Sequence, residues 1–97
     1  MRLPPHYPAA IRQAARSAYG EGAVVRLFGS RVDDTKRGGD IDLHVTVPTP
    51  PDLMAIVRFK SSLFWSLEEE EVDVLEYVRG TPMRWIDRAA YREGIQL

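Results

Sequence analysis

The sequence predicts an α+β fold: a small mixed sheet of about three strands with helices packed on one of its faces. Three observations lead there. Apolar residues recur at helical spacing near the start of the chain and again after Pro51 and after Pro82. Between these stretches lie three short runs rich in Val, Ile, Leu and Phe, bounded by Gly, Pro or acidic residues as strands are. A chain of 97 residues can bury one core, so residues 1–97 are expected to form a single domain.

The elements follow in the order helix, strand, short turn, strand, helix, strand, helix. Ile11, Ala14, Ala15, Ala18 and Tyr19 share one helical face, with Arg12, Gln13, Arg16 and Ser17 on the other, and Gly20 ends that helix. Ala23 to Phe28 is a first strand, and it delivers the chain to Gly29-Ser30. Arg31 to Gly39 reads as a short helical turn plus a loop, because Gly38-Gly39 breaks any regular element. From Asp40 to Val47 the chain alternates, Asp40, Asp42, His44 and Thr46 against Ile41, Leu43, Val45 and Val47. Such a strand is half-buried, with one polar face left open.

Thr49-Pro50-Pro51-Asp52 starts the second helix, with Thr49 as the expected N-cap. Leu53, Ile56, Val57, Leu63, Phe64 and Leu67 are its expected core stripe, which leaves Phe59 and Trp65 off the stripe. The acids Glu68 to Glu71 sit awkwardly at a helix C-terminus, where the macrodipole favours cations. Val72 to Val78 is the third strand, with Asp73, Leu75 and Tyr77 on one face. Thr81-Pro82 caps a third helix whose inner side carries Met83, Ile86, Ala89 and Ala90, and Gly94 ends it.

Composition narrows the chemistry. The hydrophobic fraction of 44% and charged fraction of 28% are those of an ordinary globular protein. A net charge of −1 disfavours a nucleic-acid module, whose affinity rests on many Lys and Arg contacts to phosphate. Cysteine is absent, so thiolate metal sites are excluded and carboxylate oxygens remain as ligands for a hard ion such as Mg²⁺. Met1 to Pro8 has three prolines and no apolar run; it does not read as a signal peptide, and a cytoplasmic setting is expected.

The chemistry concentrates in Gly29-Ser30 and in Asp40-Ile41-Asp42-Leu43. A small, flexible pair at a strand end lets backbone amides approach an anion closely. Period-two alternation then puts Asp40 and Asp42 on one side of the next strand, where two carboxylates repel unless a cation lies between them. Asp73 is a lone acid among Val72, Val74 and Leu75, on a strand that can lie beside the first pair. Three carboxylates on adjacent strands can hold two Mg²⁺ ions roughly 3.5–4 Å apart and share the charge of a transferring phosphate.

Leu27-Phe28-Gly29-Ser30-Arg31, Gly39-Asp40-Ile41-Asp42-Leu43 and Val72-Asp73-Val74-Leu75, in that order and spacing, resemble the minimal nucleotidyltransferases of the DNA polymerase β-like superfamily. The resemblance runs from about Ala23 to Val78, and Arg92 to Leu97 also looks like the usual close of that family. It implies the polymerase β-like nucleotidyltransferase fold and transfer of AMP from ATP to an acceptor hydroxyl, with release of pyrophosphate. By the same resemblance Gly29 and Ser30 hold the β- and γ-phosphates, Arg31 neutralises phosphate charge, and Asp40, Asp42 and Asp73 are the catalytic and metal-ligating triad. It further implies a HEPN/MNT toxin–antitoxin pair in which this chain, as antitoxin, adenylylates a tyrosine of a HEPN-family toxin. A chain this short has no room for an acceptor domain, so the acceptor is expected to come from outside.

Plainer readings stand beside these. Asp73 could pair with a nearby Arg, Ser30 could merely cap a helical turn, and Lys36 and Arg37 suit a solubilising role in their loop. Asp33 and Asp34 are expected to point outward, and Glu68 to Glu71 to form a solvated helix end. His44 reads as a partly buried structural histidine. Phe59, Trp65 and Trp85 lie off the predicted stripes, as interface residues do and as peripheral packing residues also do. A binding-only antitoxin, neutralising by covering its partner, is the alternative to the enzyme.

Overall fold

The computed structural model describes residues 3–33, 40–68 and 71–97. Its elements are α1 (Tyr7–Tyr19), β1 (Val24–Phe28), a 3-10 turn (Gly29–Val32), β2 (Ile41–Val47), α2 (Leu53–Ser66), β3 (Val72–Val78), α3 (Trp85–Glu93) and β4 (Ile95–Gln96). Among the described residues the strands form a four-stranded mixed sheet in the order β3-β2-β1-β4. β1 runs antiparallel to β2 and β4, while β2 and β3 are parallel. The class is α+β as expected, with one strand more. Ile95–Gln96 leaves no signal in the sequence because two residues carry no periodicity; they are a strand only because Arg26 and Leu27 offer them a ladder.

Pro8 stands in the first turn of α1, where its missing N–H costs nothing. Tyr7, Ile11, Ala14 and Ala15 turn inward from that helix. Ile41, Leu43, Val45 and Val47 of β2 are fully buried beneath α1 and α2, with Leu27 and Val25 of β1 completing the layer. The Tyr7 hydroxyl donates to the Leu67 carbonyl at 3.1 Å, tying the start of α1 to the end of α2.

The core stripe of α2 differs from the expected one. Ala55, Phe59, Leu63 and Leu67 are buried, whereas Leu53, Val57 and Phe64 are exposed. This helix is apolar on both sides, so periodicity alone offered two stripes spaced by i, i+4, and packing against α1 and the sheet selected the one containing Phe59. The N-cap also moves, from Thr49 to Asp52, whose Oδ1 accepts the Ala55 amide at 2.7 Å. Asp52→Ala is expected to cost about 1 kcal/mol, seen as a lower urea midpoint with an unchanged slope. α2 stops at Ser66, ahead of the acids, and Glu68 turns the chain with φ 43°. Glu69 and Glu70 lie outside the described residues, as do Asp34, Lys36, Arg37, Gly38 and Gly39.

α1 and α2 cover one face of the sheet. The expectation that all helices lie there, with the polar face open, is corrected by α3. His44 and Thr46, on the other face of β2, are fully buried, and α3 covers them with Asp87 and Tyr91: His44 Nε2 donates to Asp87 Oδ1 at 2.8 Å, and the Thr46 and Tyr91 hydroxyls lie 2.8 Å apart. Polar residues at alternate positions mark a solvated face only when no second layer supplies partners for them. α3 begins at Trp85 rather than after Thr81-Pro82. Its cap is made by Asp87, whose Oδ2 accepts the Arg84 amide at 2.8 Å, while Thr81 Oγ1 donates to the Val78 carbonyl and closes the preceding turn. No helix among the described residues is long and apolar enough to cross a membrane.

Candidate active site

The end of β1 and the start of β2 meet because the two strands are antiparallel, with Phe28 opposite Asp42. The residue after Phe28 must therefore pass close over the Asp42 side chain. It is Gly29, in the left-handed region at φ 77°, and a Cβ placed there would collide with Asp42 Oδ2. Two independent constraints thus demand glycine at this turn. Gly29→Ala is expected to destabilise the fold by about 1–3 kcal/mol and to push Asp42 aside. A melting curve and a transfer assay together check this, since the substitution should lower both stability and activity.

Gly29, Ser30 and Arg31 lie in the 3-10 turn Gly29–Val32 that leads away from β1. Of Ser30 only the backbone is described, and Arg31 is half-buried. Amides at such a turn are not spent on a strand ladder, which suits them to an anion.

The parallel pairing of β2 and β3 places Asp42 and Asp73 in register as direct neighbours. Asp40 stands two residues before Asp42, where the Ile41 amide bonds to the Glu71 carbonyl at 2.9 Å and joins the two strand starts. Asp40 and Asp73 are exposed and Asp42 is half-buried. Burial, then the charge of Asp73, then that of Asp40 push the Asp42 carboxyl above the usual carboxylate range. The fold therefore brings all three predicted acids to one end of the sheet, at an electrostatic cost in the absence of a cation. Among the described residues no group of three acids or histidines is closed tightly enough to hold a metal ion as it stands. The donor set nonetheless fits a hard divalent cation, being three carboxylates whose central member is already disfavoured as a bare anion.

Beneath Asp42 on the same face lies a layer that the sequence did not point to. His44 sits between the rings of Phe28 at 6.4 Å, Tyr77 at 6.1 Å and Tyr91 at 5.8 Å. Asp87, wholly buried, accepts His44 Nε2, and Arg84 grips it through Nε and a terminal nitrogen at 2.8 and 2.9 Å. Burial alone would raise the Asp87 carboxyl, but the hydrogen bonds from Arg84 and His44 outweigh it and hold Asp87 well below the usual range. The Arg26 guanidinium lies 3.8 Å over the Tyr91 ring. The available signal was the pairing of His44 and Thr46 on alternate strand positions with Asp87 and Tyr91 at i, i+4 on a helix. His44 is thus structural as expected, though fully rather than partly buried.

Comparison with known proteins gives one family match. A family model described as a nucleotidyltransferase domain matches residues 9–84, a span that includes Gly29, the three acids and both strands that carry them. No curated protein is significantly similar to the chain.

Proposed function

The chain belongs to the nucleotidyltransferase domain family, and from that premise we propose that it transfers AMP from ATP to a hydroxyl of a separate protein, a tyrosine of a HEPN-family toxin, and so acts as an antitoxin. Nucleotidyl transfer in general follows from family membership. The donor, the acceptor and the biological pairing are the finer reading. The observation that carries nucleotidyl transfer at this site is the convergence of Gly29, Asp42 and Asp73 at one sheet end, with Asp40 and Asp73 exposed; the toxin pairing rests on the resemblance alone.

In this reading the backbone amides of Gly29 and Ser30 bind the β- and γ-phosphates. Asp40, Asp42 and Asp73 would hold Mg²⁺, which when bound offsets their mutual repulsion and polarises the transferring phosphate. The acceptor oxygen bonds to the α-phosphorus, the bond from that phosphorus to the bridging oxygen breaks, and pyrophosphate leaves with the electron pair. Asp73, exposed on the edge strand β3, takes the hydroxyl proton.

The test is to incubate the protein with ATP, Mg²⁺ and the product of the gene that neighbours its own, then to weigh both chains by mass spectrometry. One or more AMP units on the toxin support the reading. An unmodified toxin that is nonetheless neutralised supports the binding-only antitoxin. In that case neutralisation also survives replacement of Asp40, Asp42 and Asp73 by Asn.

A further inference from the structure

The helix α2 has a second apolar face that the fold leaves uncovered. Leu53, Met54, Val57, Phe64 and Trp65 are exposed, Leu53 at 72% and Trp65 at 82%, and the Phe64 and Trp65 rings pack edge to face at 5.2 Å. At 100° per residue Met54, Val57, Ser61 and Phe64 form its centre, opposite the buried row Ala55, Phe59 and Leu63. An exposed apolar row of five large residues on one helix of a small domain is of the kind that often serves an interaction.

Charge identifies the occupant. From Leu53 to Ser66 the helix has no acid, and its two charged residues, Arg58 and Lys60, are exposed on opposite shoulders of the stripe. On the Arg58 side, Ser62 and Ser66 border an open groove of about 360 Å³ shared with Ala10, Ala14 and Ser17 of α1. A second copy laid on this face would set Arg58 and Lys60 against their like. An apolar helix with carboxylates along its margins would pair them instead.

Position supplies a purpose. β2 and β3 are parallel and α2 connects them, so α2 runs back along the sheet. Its C-terminal turn, with Phe64 and Trp65, therefore lies at the end where β2 and β3 begin, the end that carries Asp40, Asp42 and Asp73, although Asp42 and Asp73 project from the opposite face of the sheet.

We propose that the outer face of α2 is the docking surface for the acceptor protein, and that it takes an amphipathic helix whose apolar stripe is bordered by Asp or Glu. This rests on the reading that the acceptor is a separate protein. Phe64 and Trp65 anchor the helix, Arg58 and Lys60 set its register, and its neighbouring segments pass round the β3 edge to reach the acids on the opposite face of the sheet.

The experiment is a selection from a displayed library of short amphipathic helices, varied in their apolar residues and in the sign of their flanking charges. The expected result is enrichment of acid-flanked helices, whose affinity falls at least about tenfold on the Phe64→Ala/Trp65→Ala protein. The Arg58→Glu/Lys60→Glu protein should select basic flanks instead. All four positions are exposed, so the variants are expected to melt like the parent. Enrichment that survives the aromatic truncation, or that ignores flanking charge, overturns the proposal. So does a concentration-dependent dimer in sedimentation that the truncation abolishes, which makes a second copy the occupant. So does partition onto phosphatidylserine vesicles with no helix enriched, which makes it a membrane. The Asp42→Asn protein should select the same helices, so loss of transfer and loss of docking are read separately.

Discussion

Asp42→Asn is expected to remove nucleotidyl transfer by a factor of about a thousand or more, the several kcal/mol that a carboxylate-held divalent ion contributes to phosphoryl chemistry. Transfer of labelled AMP measures it. The same substitution should leave the fold at least as stable as before. In the folded protein Asp42 is pushed above its ordinary value by burial, Asp73 and Asp40, so its charge at neutral pH disfavours the metal-free fold. Stability from this group therefore rises as pH falls through that raised value, and the Asn protein lacks the rise. Mg²⁺ should raise the melting temperature of the parent and not that of the variant. An Asn protein that transfers at the parental rate would remove Asp42 from the mechanism.

Asp87→Ala should have the largest effect on the fold. It strips the buried partner from His44, which is itself fully buried, and two side-chain hydrogen bonds from Arg84. Breaking a buried pair costs about 3–5 kcal/mol, and the lower figure applies because the Arg84 side chain is half exposed and stays hydrated. For a domain of this size about 3 kcal/mol is a fall of roughly 12–24 °C in melting temperature. The acid limb offers a finer measurement. Asp87 is held below its ordinary value of 3.8 in the fold, so its contribution is complete above that value and is lost as pH falls from it towards the lower folded one. Asp87→Asn should flatten this limb. A parental acid limb in that variant would mean that other carboxylates govern acid unfolding.

These two residues differ in how far the sequence revealed them. Asp42 was readable because its partners are close in sequence or in pattern: Gly29-Ser30 at a strand end, Asp40 at the same-side position, Asp73 alone in an apolar run. Period-two geometry converts such spacings directly into a shared face. Asp87 was not readable, since nothing local says that a helix beginning near Trp85 will cross to the polar side of β2. The same gap produced the error over α2. With apolar residues around most of its circumference, helical spacing allows two inward faces, and only packing selects the one that contains Phe59.

What the sequence determined by itself is what local steric and periodic rules determine: the order of the longer elements, the class of fold, glycine at the turn and acids at the strand starts. What only the tertiary structure decided is which face meets which. That choice depends on contacts between residues dozens of positions apart, such as Tyr7 with Leu67 and His44 with Asp87. It buried the polar face of β2 under α3 and left the second apolar face of α2 exposed, because among the described residues α1 and the sheet pack against that helix from one side only.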